Sequence, residues 1–457
     1  MTKCDSASFH DPAGHVYWHE GEVYRTVMPC FAEAFETVRQ SGAVEHWIKQ
    51  QILWPEQVVS TQDLDFARHA YTLLKHPRLP FISYPYEWPF ALLKEAALFH
   101  LDLMLDAISQ DIMLNDASAF NVQFNGVKPI FIDHLAFRPY IAGEFWQAHK
   151  QFFEQFVNPL LLQAYRGTPF QPWYRGTLNG IATNDIAALL PWRRKWNWQV
   201  FCHVVMQAHF DKAQRQQVAK AAKQVQMPKQ GLQHLWRSLR KWIDGLHDSV
   251  ATSHWQSYAN THSYDDEAFS VKQEFIKRFI TQIQPDLVWD LGCNTGVFSR
   301  MALNAGAKRV IGFDNDHSAL QVAFETAKKD NLLFTPLFTD LINPTPAQGW
   351  HLTERMSFTQ RQQPNAILAL AVVHHLAISA NVPLPLIVDW LTEMAPAGVI
   401  EFIPKSDPMV QSMLSQRADI FTEYLLASFI DLLSQKVRIV SRVSVNEGGR
   451  ELVWFVK

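Results

Sequence analysis

The amino-acid sequence predicts a doubly wound α/β domain over its C-terminal part, preceded by an α+β, mainly helical domain. Three observations carry the first half of that reading. From Pro285 onward, apolar strand-length runs alternate with segments at helical spacing, a glycine-bearing turn follows the first run, and the chain closes on two strand-like runs flanking Asn446-Glu447-Gly448-Gly449. Alternation of that kind means a parallel sheet, and the last four residues named form a hairpin turn.

The elements follow in order. Leu287 to Leu291 reads as a strand, Val297 to Asn304 as a helix, Arg309 to Asp314 as a strand, Ser318 to Lys329 as a helix and Leu333 to Thr339 as a strand. Ala366 to His374 is taken as a fourth strand, Leu384 to Ala395 as a helix and Gly398 to Pro404 as a fifth strand. A long helical region ends near Gln435, and Val437 to Val445 with Arg450 to Lys457 complete the sheet. The expectation is five parallel strands plus an antiparallel hairpin.

Upstream, Gly14 to Val27 alternates polar and apolar residues around Glu20-Gly21-Glu22, which predicts a hairpin. Helical periodicity marks Phe31 to Lys49, Asp63 to Leu74, Ala91 to Ile108 and Glu144 to Tyr165, with a second hairpin across Asn121 to Asp133. Between Arg193 and Gly245 eleven Lys or Arg stand against two Asp, interleaved with Trp196, Trp198, Trp236 and Trp242. The predicted division is 1–190 as an acceptor-binding α+β domain, 191–254 as a basic helical link and 255–457 as the α/β domain.

Composition narrows the function classes. At 457 residues, 48% hydrophobic and 19% charged, the chain has apolar surface for two or three globular domains. A formal charge of −3 argues against a nucleic-acid footprint over the whole protein, so nucleic acid stays an alternative tied to the basic segment, whose tryptophans are expected to turn inward. Cys4, Cys30, Cys202 and Cys293 lack CxxC or Cys/His spacing, so neither disulfides nor a bound metal is expected. With no signal-peptide pattern and no apolar run longer than Ala366 to Val373, the expected setting is the cytoplasm, without a membrane. Oligomeric state is not encoded legibly.

The chemistry concentrates in Val288-Trp289-Asp290-Leu291-Gly292-Cys293-Asn294-Thr295-Gly296. Glycines at 292 and 296 suit a tight turn opening a helix and let a ligand approach the backbone. Asp290 separates this turn from a dinucleotide site: a carboxylate repels a pyrophosphate but favours the cationic sulfonium and ammonium of S-adenosylmethionine (SAM). The second strand ends in Asp314, placed to accept ribose hydroxyls, with Asp316 as a competing candidate better suited to a helix cap. The third ends at Asp340-Leu341, where a carboxylate meets the adenine amino group.

This set resembles the class I SAM-dependent methyltransferases, whose sheet is Rossmann-like. Asp290 to Gly296, His374-His375-Leu376 and Glu401-Phe402-Ile403-Pro404-Lys405 are also similar to the NoeA-type nodulation proteins. The resemblance implies that Asp290, Gly292 and Gly296 hold the methionine part of the donor, Asp314 the ribose, and Asp340 with Leu341 the adenine. Cys293 and Asn294 stand where many members carry glycine or another small residue.

In an open α/β sheet the reacting atoms lie beyond the strands' carboxyl ends, which puts His374 and His375 near the acceptor as candidate bases. Glu401 and Lys405 are candidates for holding a polar acceptor. No Asn/Asp-Pro-Pro-Tyr/Phe motif is present, which disfavours amino-group methylation of bases or glutamine. The expected activity is O-methylation of a small-molecule or glycan-like acceptor; RNA methylation and a non-catalytic SAM-binding scaffold are the alternatives in this half.

In the N-terminal half, Asp116 precedes Asn121 by five residues and Asp133 ends the strand-like run after it. Kinase-type folds use that spacing for a base and two metal-binding side chains. The segment resembles aminoglycoside and choline kinase-type domains, with Leu114-Asn115-Asp116 in place of the usual His-Arg-Asp or His-Gly-Asp. The readings left open are a structural hairpin, a degenerate kinase-like module that binds the acceptor, and a bifunctional protein with phosphotransferase activity.

Overall fold

The computed structural model describes residues 2–62, 64–209, 226–250, 266–415 and 418–457. The chain forms two units, and no single cut separates them. The first contains Met1–Phe124, Pro129–Ala251 and Ala347–Met356; the second contains Asn125–Lys128, Thr252–Pro346 and Ser357–Lys457. The expected boundary at 254/255 falls outside the described residues.

In the second unit, β10 (Val288–Leu291), β11 (Val310–Asp314), β12 (Phe334–Phe338), β13 (Ala366–Ala369) and β14 (Ala397–Phe402) are parallel. β15 (Arg438–Ser444) and β16 (Glu451–Val456) add the antiparallel hairpin, in the order β12-β11-β10-β13-β14-β16-β15. Strand order reverses between β10 and β13, and in this architecture the crevice at such a switch point is where ligands bind. Buried residues such as Val288, Val310, Leu368 and Val399 read as continuous apolar runs because both faces of the sheet are covered. The tip of an earlier hairpin joins this unit: Thr335 Oγ1 donates to the Gly126 carbonyl at 2.7 Å, and Arg309 to Asn125 Oδ1 at 2.6 Å.

Two expectations for this unit need correction. The fourth strand ends at Ala369, not His374, because Ala371 turns to a positive φ of 55° and the chain enters a helical turn, His375–Ser379. The long helical region before Gln435 is two helices, Pro408–Leu414 and Leu426–Ser434.

The first unit holds β1 (Thr2–Cys4), β2 (Val16–His19), β3 (Glu22–Val27), β4 (Gln57–Val59) and β5 (Thr72–His76) as an antiparallel sheet in the order β1-β2-β3-β5-β4. Helices Ala32–Gln40 and Ala43–Lys49 lie between β3 and β4 in the chain. The buried helix Phe90–Ser109 then leads to β6 (Ile112–Leu114) and to the hairpin of β7 (Val122–Asn125) and β8 (Lys128–Phe131). The helix expected over Asp63 to Leu74 is absent among its described residues: Asp65–Ala67 is one 3₁₀ turn, and Thr72 onward is β5. Leu73 and Leu74 are buried by pairing with β3 and β4 on both sides, a long-range partnership that overrides local periodicity.

The basic segment also departs from expectation. Trp236 is buried in the helix Lys229–Asp244, against Trp146 at 5.8 Å, but Trp196 and Trp198 face outward with 76% and 72% exposure. Part of that segment, 210–225, lies outside the described residues. Among the described residues no helix is long and apolar enough to cross a membrane, and all four cysteines are free.

Truncating a fully buried aromatic side chain costs about 3 to 5 kcal/mol, whereas an exposed one costs less than about 0.5 kcal/mol. Trp236→Ala is therefore expected to lower the denaturation midpoint of the first unit strongly and Trp196→Ala hardly at all, as read by urea unfolding.

Candidate active site

The turn after β10 is shaped by two contacts that leave no room for side chains. Gly292 and Gly296 have φ of 74° and 77°; a Cβ on the first would come within 2.8 Å of Val372 and on the second within 2.4 Å of the Phe334 ring. Asn294 between them is also left-handed, at 48°. The loop folds down onto β11, where Gly312 receives it: a Cβ there would stand 2.7 Å from Cys293 Sγ. Cys293 is thus a buried packing residue under the turn, and its place in the motif is explained by Gly312 across from it. No signal along the sequence linked those two residues.

Asp290 is buried and accepts a hydrogen bond from Ser299 Oγ at 2.6 Å, which ties the strand end to the first turn of the helix Val297–Asn304. Burial pushes its carboxyl up to about 7, the Ser299 bond opposing and Asp314 reinforcing the shift. Asp314 ends β11 and accepts from the backbone N–H groups of Asn294 at 2.8 Å and Asp316 at 2.9 Å. Burial raises its carboxyl as well, while those amides pull it down. Asp316 caps the helix His317–Lys329 by accepting from Ser318 and Ala319, so it is the cap and Asp314 the residue bound to the donor turn. Asp340, beyond β12, is half-buried and accepts from Ile342 N at 3.0 Å, with Leu341 beside it. Asp290 and Asp314 thus stand at the ends of neighbouring parallel strands, with Asp340 following the next.

The acceptor-side candidates separate. His374 is fully buried and neither ring nitrogen has a partner; burial, His375, Arg450 and Lys272 push its pKa down to about 3. His375, 4.2 Å away between ring centroids, is half-buried, and its pKa is lowered by burial. Both rings belong to the turn after the shortened β13, not to a strand end. Glu401 and Lys405 are not brought together. Glu401 is fully buried on β14 and paired with Lys272 Nζ at 2.6 Å, while Lys405 pairs with Asp419 at 2.8 Å. Strand alternation alone could not reveal Lys272, which comes from the helix Asp266–Ile283.

Comparison with known proteins fits this arrangement. The chain is 39% identical over 460 aligned residues to nodulation protein NoeA of Rhizobium meliloti (strain 1021), an alignment spanning 98% of this chain and 95% of that protein. The chain belongs to the NoeA family. Within this NoeA-family chain, residues 274–337 match the ribosomal protein L11 methyltransferase (PrmA) family, a span that holds Asp290, Gly292, Gly296 and Asp314. The L11 methyltransferase of Colwellia psychrerythraea (strain 34H) is 44% identical over 50 residues, 11% of this chain and 17% of that enzyme. Among solved structures, the N-methyltransferase NodS from Bradyrhizobium japonicum WM9 aligns with 42% of this chain and 99% of its own at 14% identity and a TM-score of 0.31. The methyltransferase match of this NoeA-family chain thus falls on residues 274–337, the segment that forms the turn and the two strands beside it.

The residues present suit SAM, the donor the sequence motif implies: a turn with no Cβ at its closest approaches, and carboxylates where a cationic ligand needs them. Two outcomes follow. A charged hydrogen bond contributes about 1.5 to 3 kcal/mol, so Asp314→Ala should weaken SAM about tenfold or more in calorimetry. The second concerns pH. Asp290 has a folded value near 7 against roughly 3.9 when unfolded, so its protonated form stabilises the ligand-free fold at low pH and that contribution is lost as pH rises through 7. The cationic donor needs the ionised form. SAM affinity should therefore rise between about pH 5.5 and 7.5, and Asp290→Asn should flatten most of that rise.

Proposed function

We propose that this protein methylates a hydroxyl oxygen of a small-molecule or glycan-like acceptor, with the first unit taking part in choosing that acceptor. The observation that carries the reading is the division of labour between the two histidines beyond β13. Alcohol oxygens are poor nucleophiles until a base takes the proton, and a neutral imidazole at the edge of the crevice suits that task. His375, half-buried and held neutral by its surroundings, is assigned the role. His374, sealed in the core with its pKa near 3, packs beneath it and positions it.

Bound at the Gly292–Gly296 turn, SAM supplies an electrophilic methyl carbon and a neutral thioether leaving group. Asp290 with the turn is assigned to the methionine portion, Asp314 to the ribose and Asp340 with Leu341 to the adenine. Methyl transfer needs little beyond alignment and exclusion of water. His375 takes the proton from the acceptor hydroxyl at one ring nitrogen. The buried Lys272–Glu401 pair, 2.6 Å long, ties the helix Asp266–Ile283 to β14 and is assigned no direct part in the chemistry. Removing one partner of such a pair strands a buried charge, at about 3 to 5 kcal/mol.

His375→Ala should lower kcat by about 10² to 10⁴ while leaving the heat of SAM binding unchanged. Tritiated-methyl transfer from SAM into fractionated cell extract tests the acceptor class. Label in a small-molecule or glycan fraction, in an ether stable to mild base, is the expected result; label confined to RNA or protein would sink the assignment.

A further inference from the structure

Three side chains of the first unit that methyl transfer leaves unused, Glu56, His76 and His134, come together in its interior. Their spacing in the sequence carries no ligand signature, because the fold alone joins them: Glu56 precedes β4, His76 ends β5 and His134 opens the turn after β8. One ligand atom from each lies within 4.8 Å of the other two. The Glu56 and His134 side chains are 2% exposed, and His76 is buried as well. The expectation of no bound metal rested on the cysteines, and none of these residues is a cysteine.

Hydrogen bonds decide which atoms of the group are left to ligate. His76 Nδ1 lies 3.0 Å from the Pro55 carbonyl, and His134 Nε2 lies 2.8 Å from the Trp54 carbonyl. A carbonyl only accepts, so each of those nitrogens carries the ring proton, and the lone pairs fall to His76 Nε2 and His134 Nδ1. An imidazole whose one N–H is tied to a backbone carbonyl is oriented as metal-bound histidines are. The carboxylate is prepared in the same way: Arg39 donates to Glu56 Oε1 and leaves Oε2. Glu56 Oε2 stands 2.9 Å from His134 Nδ1, yet it is buried with no hydrogen-bond partner among the described residues. Atoms that close form a hydrogen bond only when the oxygen lies near the N–H axis, and here it lies off that axis. Two ligands of one ion stand in that relation, because the ion occupies the apex between them. Burial, together with the neighbouring His134, lowers the His76 pKa to about 4, so its ring is neutral and able to ligate at pH 7.

We propose that Glu56 Oε2, His76 and His134 bind a transition-metal ion of the zinc type inside the first unit. Two imidazoles and a carboxylate are a donor set that zinc accepts, with a water in the fourth position. Ligand atoms about 2 Å from such an ion stand roughly 3 to 3.5 Å from one another, so a small turn of the side chains closes the group around it. The ion supplies the partner that Oε2 lacks and ties the edge of the antiparallel sheet to the turn after β8. Arg39 keeps Oε1 throughout, as an outer partner that orients the ligating carboxylate. The site is independent of the methyl-donor reading, since every residue in it belongs to the first unit.

The test strips the full chain with a chelator, then titrates it with Zn²⁺ against a chromophoric competitor and with Co²⁺, whose visible bands report ligand number and type. Urea unfolding is followed with and without metal. The expected result is a single tight equivalent, intense tetrahedral Co²⁺ bands and a higher denaturation midpoint for the first unit when metal is present. His76→Gln keeps an N–H for the Pro55 carbonyl and leaves Glu56 with Arg39 and His134. It should unfold as the parent does without metal and bind metal at least about a hundredfold more weakly, since losing even an outer partner costs about 10 to 100 times in affinity. His76→Cys should bind Co²⁺ and add a thiolate charge-transfer band in the near ultraviolet. The proposal fails if the parent chain takes up no metal at micromolar concentration, the outcome expected of a plain ion pair between Glu56 and His134. It fails equally if His76→Gln binds as the parent does, which puts the ion on surface histidines, or if His76→Cys binds Co²⁺ without the thiolate band.

Discussion

The methyl-donor crevice depends on one close approach: the Cys293 thiol lying over Gly312 on the neighbouring strand. Because β11 carries no side chain there, the turn after β10 can fold down far enough for Asn294 N–H to reach Asp314. The same descent sets Gly296 against the Phe334 ring and starts the helix Val297–Asn304 in register with Ser299, which binds Asp290. Had the turn stood higher, the two carboxylates would face solvent and keep ordinary acidities. Packing and electrostatics are therefore one feature in this crevice.

Both units gather carboxylates, yet each solves the problem of buried negative charge differently. In the second unit, Asp290 is satisfied by a hydroxyl and Asp314 by backbone amides, so neither needs a cation in order to fold. The cationic donor is then drawn by charge already held in place. In the first unit, the Arg25 guanidinium on β3 spans Asp11 and Asp133, and Asp116 is left with the Asn121 amide. Burial without full compensation is costly, so each buried carboxylate in the set is held by a hydrogen bond or an ion pair.

The ion pair between Lys272 and Glu401 shows how a strand face can mislead. On β14 Glu401 looks like a polar residue aimed at a crevice, and Lys405 four residues later looks like its companion. Burial reverses this: Glu401 finds its cation on a helix packed against the sheet, and Lys405 finds Asp419 at the surface. A charge cannot stay buried alone, so the partner is chosen by packing and not by proximity in the chain.

The sequence by itself determined the parallel strands, their connecting helices, the terminal hairpin and the order of Asp290, Asp314 and Asp340 along the strand ends, because each rests on local periodicity or on turn chemistry within a few residues. It also placed Asp116, Asn121 and Asp133 at a telling spacing. Tertiary structure alone decided where β13 stops, that Leu73 and Leu74 pair in a sheet, that His374 is sealed while His375 is not, and that Arg25 stands over Asp133 from a strand more than a hundred residues earlier. Those outcomes depend on which distant groups share a desolvated space, and periodicity along one chain carries no information about that.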